Sequence, residues 1–327
     1  MLHAITTYFN PVGYRRLHDN IVRFRDTLRK CPLTIIELSF DGRFVFSDSI
    51  HVTGVPSKHL MWQKERLLNL AAEQLPGDVD KIAWIDGDVI FANDNWCQIA
   101  EAKLDSDPVV QLFESAHHLD SSGRVAKVTP AMHAGSQENP GWPGFAWAAR
   151  RELFPLYDQH ILGGADALMY YAFVGQHRDR KSWRTKGMSE PWFQSYVSSS
   201  ERMHSITKGK VGFVEGDILH LYHGEKSNRK YMERWSYLYD FAFNPAVDIL
   251  IGDGGLWEWS SDMKSDMHAL VRYYFRERKE DEPSRSVQGR QQGSINGSGV
   301  PNVRHNFDAI KAKAAQAAGL ARSAGKR

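Results

Sequence analysis

The sequence predicts an α/β protein with a mostly parallel central sheet flanked by helices. Segments of strand character alternate with segments of helical spacing, which is typical of parallel strands joined by right-handed crossovers. Residues 81–91 are apolar on both sides of two aspartates, as expected of a strand buried on both faces. With 327 residues, 42% hydrophobic and 24% charged, the chain is long enough for one large domain or two smaller ones.

Six predicted elements alternate along the first hundred residues: a strand at 3–7, a helix at 20–29, a strand at 33–40, a helix at 61–74, a strand at 81–91 and a helix at 96–104. In the first helix, Ile21, Phe24 and Leu28 share one stripe, which predicts one buried face. Pro76-Gly77 ends the second helix.

The pattern continues with a strand at 109–114, a loop at 117–142, helices at 145–153 and 165–173, and a late strand at 211–222. The loop is rich in Gly, Ser, His and Pro. A loop of that length in a compact domain is typical of a lid or a binding loop.

Charge divides the chain into a mildly acidic body and a basic tail. Residues 283–327 carry eight Lys or Arg and one acid, a net charge of +7, while the rest carries 33 basic and 38 acidic residues, a net charge of −5. We expect one folded domain over 1–280, a flexible Ser/Gly/Gln-rich linker over 281–303 and a basic Ala/Lys-rich tail of helical character over 304–327. Such a tail is more often a solvated extension than a nucleic-acid contact.

Two cysteines, Cys31 and Cys97, exclude a disulfide framework and offer no zinc-type cluster. No apolar run approaches the roughly 18 residues of a membrane span, so no integral membrane segment is expected. The first residues lack a signal-peptide pattern, and a reducing, cytoplasmic setting is expected.

Asp86 and Asp88 interrupt the buried strand, with Gly87 between them. Burial of an unpaired charge is costly, but the pair is tolerable at a strand end that meets a divalent cation. Hard oxygen ligands suit Mg²⁺ or Mn²⁺, which keep positions open for substrate phosphates. Asp-Gly is also a hairpin signal, although the preceding residues do not alternate as a hairpin arm should. The pattern favours an enzyme that holds a nucleotide diphosphate through a metal ion.

Basic and aromatic residues accompany this pair along the sequence. Lys64 and Arg66, on the preceding helix, suit contacts with a diphosphate or a base, although a solvated helix face explains them equally well. Trp142, Gly144 and Phe145 belong to a small-residue loop before a predicted helix, where N–H groups suit phosphates or hydroxyls and rings stack on sugars or bases. Ordinary turn chemistry with a packed Trp is the alternative.

Two later motifs lie at the ends of elements. Asp166 opens a predicted helix behind Gly163-Gly164, where a carboxylate is either a helix cap or a general base. His220 and His223 end the late strand, and one imidazole suits the coordination shell of the cation, although a lone histidine is usually structural. The sequence has no Gly-Lys-Ser/Thr phosphate loop, dinucleotide fingerprint or serine nucleophile elbow.

The order of these motifs resembles that of nucleotide-sugar-dependent glycosyltransferases of the GT-A fold. The resemblance spans roughly residues 1–275 and rests on Thr-Thr-Tyr at 6–8, Lys64 and Arg66, Asp86-Gly87-Asp88, Gly-Trp-Pro-Gly-Phe at 141–145, Gly163-Gly164-Ala165-Asp166 and His220-Leu221-Tyr222-His223. In that superfamily the Asp-x-Asp pair grips ribose and metal, a downstream His often binds the same metal, and an acid in a Gly-Gly-Glu-Asp-like segment is the base of inverting members. Here that segment lacks its first acid, so Asp166 alone carries the match.

The resemblance implies a metal-dependent transfer of a sugar from a nucleotide diphosphate sugar, with a UDP-sugar favoured, to an acceptor hydroxyl with inversion. Asp86, Asp88 and His223 are expected to hold Mn²⁺ or Mg²⁺, and Asp166 to deprotonate the acceptor. The residues expected to contact the donor are Thr6, Thr7, Tyr8, Lys64, Arg66, Asp86, Gly87, Trp142, Gly144, Phe145 and His220.

The acceptor stays open between a glycan, a small metabolite, a protein and a hydroxymethylated base in phage-type DNA, which would make binding steeply salt-dependent. A nucleotidyltransferase or metal phosphohydrolase is a second class, but it should show a Gly-rich phosphate loop or further acidic ligands. A non-catalytic sugar or nucleotide binding module is the third, and it would tolerate loss of Asp86.

Overall fold

The computed structural model describes residues 1–28, 30–54, 59–139, 141–231 and 233–283. The predicted basic tail and all but the first residues of the linker lie outside the described residues, as does residue 29, at which the first helix was expected to end. No helix in the described part of the chain is both long and apolar enough to cross a membrane.

The described chain contains thirteen strands: β1 (Leu2–Phe9), β2 (Leu33–Ser39), β3 (Ile50–Thr53), β4 (Lys81–Ile85), β5 (Val89–Phe91), β6 (Val109–Gln111), β7 (Ser115–Leu119), β8 (Val125–Pro130), β9 (Ala146–Arg150), β10 (Gly212–Phe213), β11 (Asp217–His220), β12 (Ile249–Ile251) and β13 (Trp257–Trp259). Its α-helices are α1 (Arg15–Thr27), α2 (Lys64–Gln74), α3 (Trp96–Lys103), α4 (Ala165–Phe173), α5 (Glu190–Thr207), α6 (Ser236–Tyr239), α7 (Pro245–Asp248) and α8 (Ser265–Glu277).

A seven-stranded sheet with the order β10-β6-β9-β4-β1-β2-β3 forms the centre of the molecule. The neighbours β4-β1, β1-β2, β2-β3 and β10-β6 are parallel, and β9 is antiparallel to both β4 and β6. The predicted fold class, a mostly parallel sheet flanked by helices, is confirmed. The helix predicted at 145–153 is wrong, because Ala146–Arg150 pairs on both sides as β9 and only Arg151–Leu153 forms a short 3-10 turn.

The central sheet is buried on both faces. Alternate residues of β4 enter different cores: Ile82 and Trp84 pack with α2, α4, α5 and α8, whereas Ala83 and Ile85 pack with α1 and α3. This follows from the two-residue period of a strand and explains why the sequence of β4 is continuously apolar.

A smaller sheet with the order β5-β11-β7-β8 lies beside the central one. The loop predicted at 117–142 is wrong in its first part, because β7 and β8 pair as a hairpin around a turn in which Gly123 N donates to Asp120 O at 2.9 Å. The late strand predicted at 211–222 is two strands, β10 in the central sheet and β11 in the smaller one.

The segment between β4 and β5 carries the two aspartates across from one sheet to the other. A turn forms there, with Val89 N donating to Asp86 O at 3.3 Å. The strands on its two sides do not pair with each other, since β4 joins β1 and β9 while β5 pairs with β11. The Asp-Gly turn is therefore present, but the hairpin that it signalled is not, and both carboxylates lie at the junction of the sheets.

Candidate active site

A cavity of about 620 Å³ lies where the carboxyl ends of β1 and β4 face the smaller sheet. It brings together residues that are far apart in sequence, as expected at the carboxyl edge of an open α/β sheet. The sequence-predicted residues that line it are Thr7, Tyr8, Lys64, Asp86, Gly87, Asp88, Trp142, Gly144, Phe145, Asp166, His220 and His223.

Thr6 and Arg66 are not brought to the cavity. Thr6 is fully buried, and its Oγ1 donates to Ile85 O at 2.7 Å. Arg66 donates from Nε to Gly255 O at 2.6 Å and lies 3.6 Å from Asp158. Both side chains therefore stabilise the fold instead of facing the cavity. The sequence periodicity of their elements does not separate these two roles.

Lys64 links two carboxylates on the cavity wall. Its Nζ lies 2.6 Å from Asp86 Oδ1 and 3.3 Å from Asp166 Oδ1, and its side chain is only 11% exposed. Burial alone would lower the pKa of Lys64, but the charges of Asp166 and Asp86 raise it above the ordinary lysine value, so the ammonium form is retained. Burial, together with the negative charges of Asp166 and Asp88, raises the pKa of Asp86 to about 6 against the opposing effect of Lys64.

Asp88 forms a second cluster with the two histidines. Its Oδ2 lies 2.8 Å from His223 Nε2 and 3.7 Å from His220 Nε2, and the two imidazole nitrogens are 3.1 Å apart. Burial opposes the charged form of Asp88, but His223 and His220 outweigh it and hold the pKa of this carboxyl well below its usual range. Burial lowers the pKa of His220 well below its ordinary value, although the charge of Asp88 opposes this shift.

The Asp88 cluster fits a divalent cation. One ligand atom from each of Asp88, His220 and His223 lies within 4.8 Å of the other two. Asp88 Oδ1 is buried and makes no hydrogen bond within the described structure, which leaves a carboxylate oxygen without a partner. One carboxylate and two imidazoles form a mixed oxygen and nitrogen set, which suits a divalent transition metal such as Mn²⁺ better than Mg²⁺, whose preferred ligands are oxygens. Asp86 is directed to Lys64, so its predicted role as a metal ligand stays a prediction.

Sequence analysis missed a group of buried charges behind His223. Arg229 Nη2 lies 2.5 Å from His223 Nδ1 and also contacts Nε2, so a cation held at Nε2 would displace this guanidinium. Glu280 Oε2 lies 3.6 Å from His223 Nδ1, and Glu280 pairs with Arg278. Burial opposes ionisation of Glu280, but Arg278 and His223 lower its pKa to about 2.

Three arginines of this group, Arg229, Arg234 and Arg278, line the cavity. Arg234 Nη1 donates to Tyr274 Oη at 2.5 Å, and Arg278 Nη1 lies 3.4 Å from the same oxygen. They come from loops and helix ends around α6 and α8, where no periodicity marked them. The only available signal was the density of Lys and Arg after His223. Their positive charge faces the cavity and suits an anionic ligand.

The glycines of the site permit close approach. A Cβ on Gly87 would lie 2.5 Å from Ile21 Cδ1, so a larger residue there would require the end of the Ile21 side chain to move. Gly163 and Gly164 have φ values of +73° and +99°, the left-handed region in which glycine is least strained. Phe145 also has a positive φ, 83°, and its carbonyl accepts from Asp86 N at 2.7 Å. Backbone strain at Phe145 therefore lies directly beside the first aspartate.

No protein-family model and no curated protein sequence matches this chain. Several solved structures are similar to it. Glucosyl-3-phosphoglycerate synthase from Mycobacterium tuberculosis, in complex with Mn²⁺, UDP and phosphoglyceric acid, is 13% identical, with 74% of this chain and 78% of that chain covered and a TM-score of 0.34. A mutant β-1,4-galactosyltransferase 7 from Drosophila, in complex with manganese, UDP-Gal and xylobiose, is 12% identical, with 83% and 98% covered and a TM-score of 0.35.

A further similar structure is 4-diphosphocytidyl-2C-methyl-D-erythritol synthase from Anaerococcus prevotii, which is 12% identical, with 66% of this chain and 89% of that chain covered and a TM-score of 0.30. Nucleotide-diphospho-sugar transferases, the class that the sequence motifs resemble, are thus among the structures to which this chain is similar.

Proposed function

We propose that this protein is a metal-dependent glycosyltransferase that moves a sugar from a nucleotide diphosphate sugar, with UDP-sugars favoured, to an acceptor hydroxyl. The observation that carries the proposal is the arrangement of two carboxylate clusters on one cavity wall. Asp88 with His220 and His223 offers a cation site, and Lys64 holds Asp86 and Asp166 beside it. In the proposed reaction, the first cluster would bind the cation on the diphosphate of the donor, and the second would provide the base beside the sugar.

The cation would be held by Asp88, His220 and His223 and, when bound, would act as a Lewis acid on the diphosphate leaving group. The protein's own cations extend this effect. Arg229, Arg234 and Arg278 surround the same part of the cavity, and preorganised positive charge in a site shielded from water favours a departing anion. Thr7 and Tyr8 line the cavity at the end of β1, where a base and ribose would lie.

Asp166 is proposed as the base of an inverting reaction. Its Oδ1 accepts from Lys64, which leaves Oδ2, beside Gly144, for the acceptor proton. In the transfer, the acceptor oxygen bonds to the anomeric carbon, its proton passes to Asp166, and the electron pair of the broken C–O bond leaves with the nucleoside diphosphate. Trp142 and Phe145 stack on each other in the cavity lining, and Phe145 packs against His220.

The Asp88→Asn variant tests the proposal. Loss of the charged ligand should abolish the thermal shift that Mn²⁺ plus UDP gives the wild type, and should lower Mn²⁺-dependent release of UDP from UDP-sugars by at least about 100-fold. The measurements are a melting curve with and without Mn²⁺ and UDP, followed by a UDP-release assay over several UDP-sugars.

Asp78→Asn is the matched control, because Asp78 is an exposed aspartate that lies outside the cavity. It should keep both the thermal shift and the turnover of the wild type. An Asp88→Asn variant that retains metal-dependent turnover would contradict the proposal, and a wild type that gives a thermal shift without UDP release would favour the binding module instead.

A further inference from the structure

Arg184 is a cavity-lining cation that the proposed transfer does not use. Its guanidinium stacks on the rings of Trp183 at 4.3 Å and Tyr171 at 4.8 Å, and Nη1 donates to Tyr171 Oη at 3.2 Å. Its Nε is buried without a hydrogen-bond partner in the described structure. Two ring faces therefore fix the plane of the guanidinium while one of its edges stays unsatisfied.

Two other cations of the cavity are compensated by carboxylates of the protein. Lys64 pairs with Asp86 and Asp166, and Arg278 pairs with Glu280. Arg184, like Arg229 and Arg234, makes no ion pair with any carboxylate of the described residues. Burial lowers the pKa of Arg184, and the hydroxyls of Tyr171 and Tyr196 only partly offset this effect. A partly buried charge without a counterion is costly unless a ligand supplies one.

The position of Arg184 relates it to the proposed base. Tyr171, on which it stacks, lies on α4, the helix that carries Asp166 near its amino end. Arg184 and Asp166 also line the same cavity. A group held by Arg184 would therefore share this cavity with a hydroxyl at Asp166.

We propose that Arg184 binds an oxyanion of the acceptor, and hence that the acceptor is a hydroxyl compound that carries a phosphate or a carboxylate. A guanidinium edge binds two oxygens of such a group in parallel, a geometry that lysine does not reproduce. This inference depends on the proposed function, since it names the substrate class of the same cavity. The oxyanion belongs either to a small sugar derivative or to the backbone of a nucleic acid.

Inorganic phosphate is the probe for the anion site, measured on the protein saturated with Mg²⁺ and UDP so that the diphosphate region is filled. At about ten times its dissociation constant, phosphate should raise the melting temperature of the wild type by a further 2–3 °C. The Arg184→Gln variant should lose this increment, and Arg184→Lys should keep less than half of it. Lys186→Gln is the matched control, since Lys186 is exposed on the same segment but outside the cavity, and it should keep the full increment.

This experiment distinguishes failure of the proposed glycosyltransferase function from failure of the proposed anion site. No shift with Mg²⁺ and UDP alone counts against the glycosyltransferase, whereas a normal UDP shift without a phosphate increment overturns the anion site. An increment that Arg184→Gln retains, or that Lys186→Gln also loses, overturns it as well. The UDP shift of each variant also shows that the variant is folded.

Acceptor assays then identify the source of the oxyanion. Glucose 6-phosphate and glucuronate are compared with glucose, and duplex DNA containing 5-hydroxymethylcytosine with the free hydroxymethylated nucleoside. A preference for the charged sugar that falls at least tenfold in Arg184→Gln assigns a small anionic acceptor, and the same result with DNA assigns the phosphodiester. Equal use of the neutral and the anionic member of both pairs overturns the proposal.

Discussion

Glu65 shows at the scale of one residue how burial beside the site keeps an acidic side chain uncharged. It is 2% exposed at the start of α2, next to Lys64, and its Oε1 has no hydrogen-bond partner in the described structure. Burial, reinforced by Asp166 and opposed by Lys64, raises the pKa of Glu65 to about 8 from an ordinary value of 4.5. The folded protein therefore holds this side chain neutral at a pH where the unfolded chain has released the proton.

The consequence is a fall in stability with pH. Between about pH 4.5 and pH 8 unfolding releases a proton from Glu65, so the free energy of unfolding decreases as the pH rises through this window. The Glu65→Gln variant lacks this titrating group. Between pH 5.5 and 7.5, the free energy of unfolding of the variant should therefore fall by about 1–3 kcal/mol less than that of the wild type. Urea unfolding at the two pH values measures the difference. Glu73→Gln, on an exposed position of the same helix, should behave like the wild type.

Single residues also mark the limit of sequence analysis. Asp86, Asp88, Asp166 and His223 were predicted from local chemistry, and the structure gathers them at one cavity. Their partners were not predictable: Lys64 reaches Asp166 across 102 residues, and no periodicity connects the two. Arg184, one of several basic residues on its segment, differs from the rest only in its surroundings, which sequence does not show.

Among the elements, the amino end of α4 depends most on its glycines. Gly164 caps the helix at φ +99°, and a Cβ there would lie 2.8 Å from Arg234 Nη2 and 2.9 Å from the ring of Trp235. Arg234 Nη2 and Trp235 Nε1 donate to the neighbouring Gly163 O at 3.0 Å and 3.1 Å, which holds the loop that presents Asp166 against the basic group behind His223.

Gly164→Ala should destabilise the protein by about 2–4 kcal/mol, because backbone strain and a steric clash add. Gly209→Ala separates the two effects. Its φ is +80° and nothing lies within 4 Å of the new methyl group, so the cost should be about 1 kcal/mol. Denaturant unfolding of both variants checks the difference, and equal losses would show that the contacts above Gly164 contribute nothing.

Element prediction succeeded where local and tertiary preferences agree. The apolar run of β4 and the helical spacing of α2 were recognised, because their buried faces follow regular periods. The alanines of β9 favour a helix locally, yet pairing with β4 and β6 imposes a strand. The hairpin of β7 and β8 was hidden by a β8 strand that is exposed over most of its length and so lacks an apolar signature.

At the scale of the whole molecule, the cavity and the basic tail are separate in sequence. Every described residue that lines the cavity lies between Thr7 and Arg278, whereas the +7 charge falls in residues 283–327. The chemistry of the donor should therefore not depend on the tail.

Removal of residues 284–327 should leave metal-dependent UDP-sugar hydrolysis within about twofold of the full chain. Nonspecific binding to duplex DNA at low salt should weaken by at least about tenfold, since eight cationic side chains are lost. A full-length variant with those eight residues changed to Gln isolates charge from length and should reproduce the loss of DNA binding. If the rate of UDP-sugar hydrolysis falls far more than twofold on truncation, the tail contributes to the site.

The short turn after β4 has a mechanical consequence. Asp86 is anchored through Lys64 to the helices over the larger sheet, while Asp88, two residues later, is anchored through His220 to the smaller one. A molecule that contacts both acids therefore links the two sheets. Under the proposed function, a bound donor would add this link to the covalent ones between β6 and β7 and between β10 and β11, and its release would remove it.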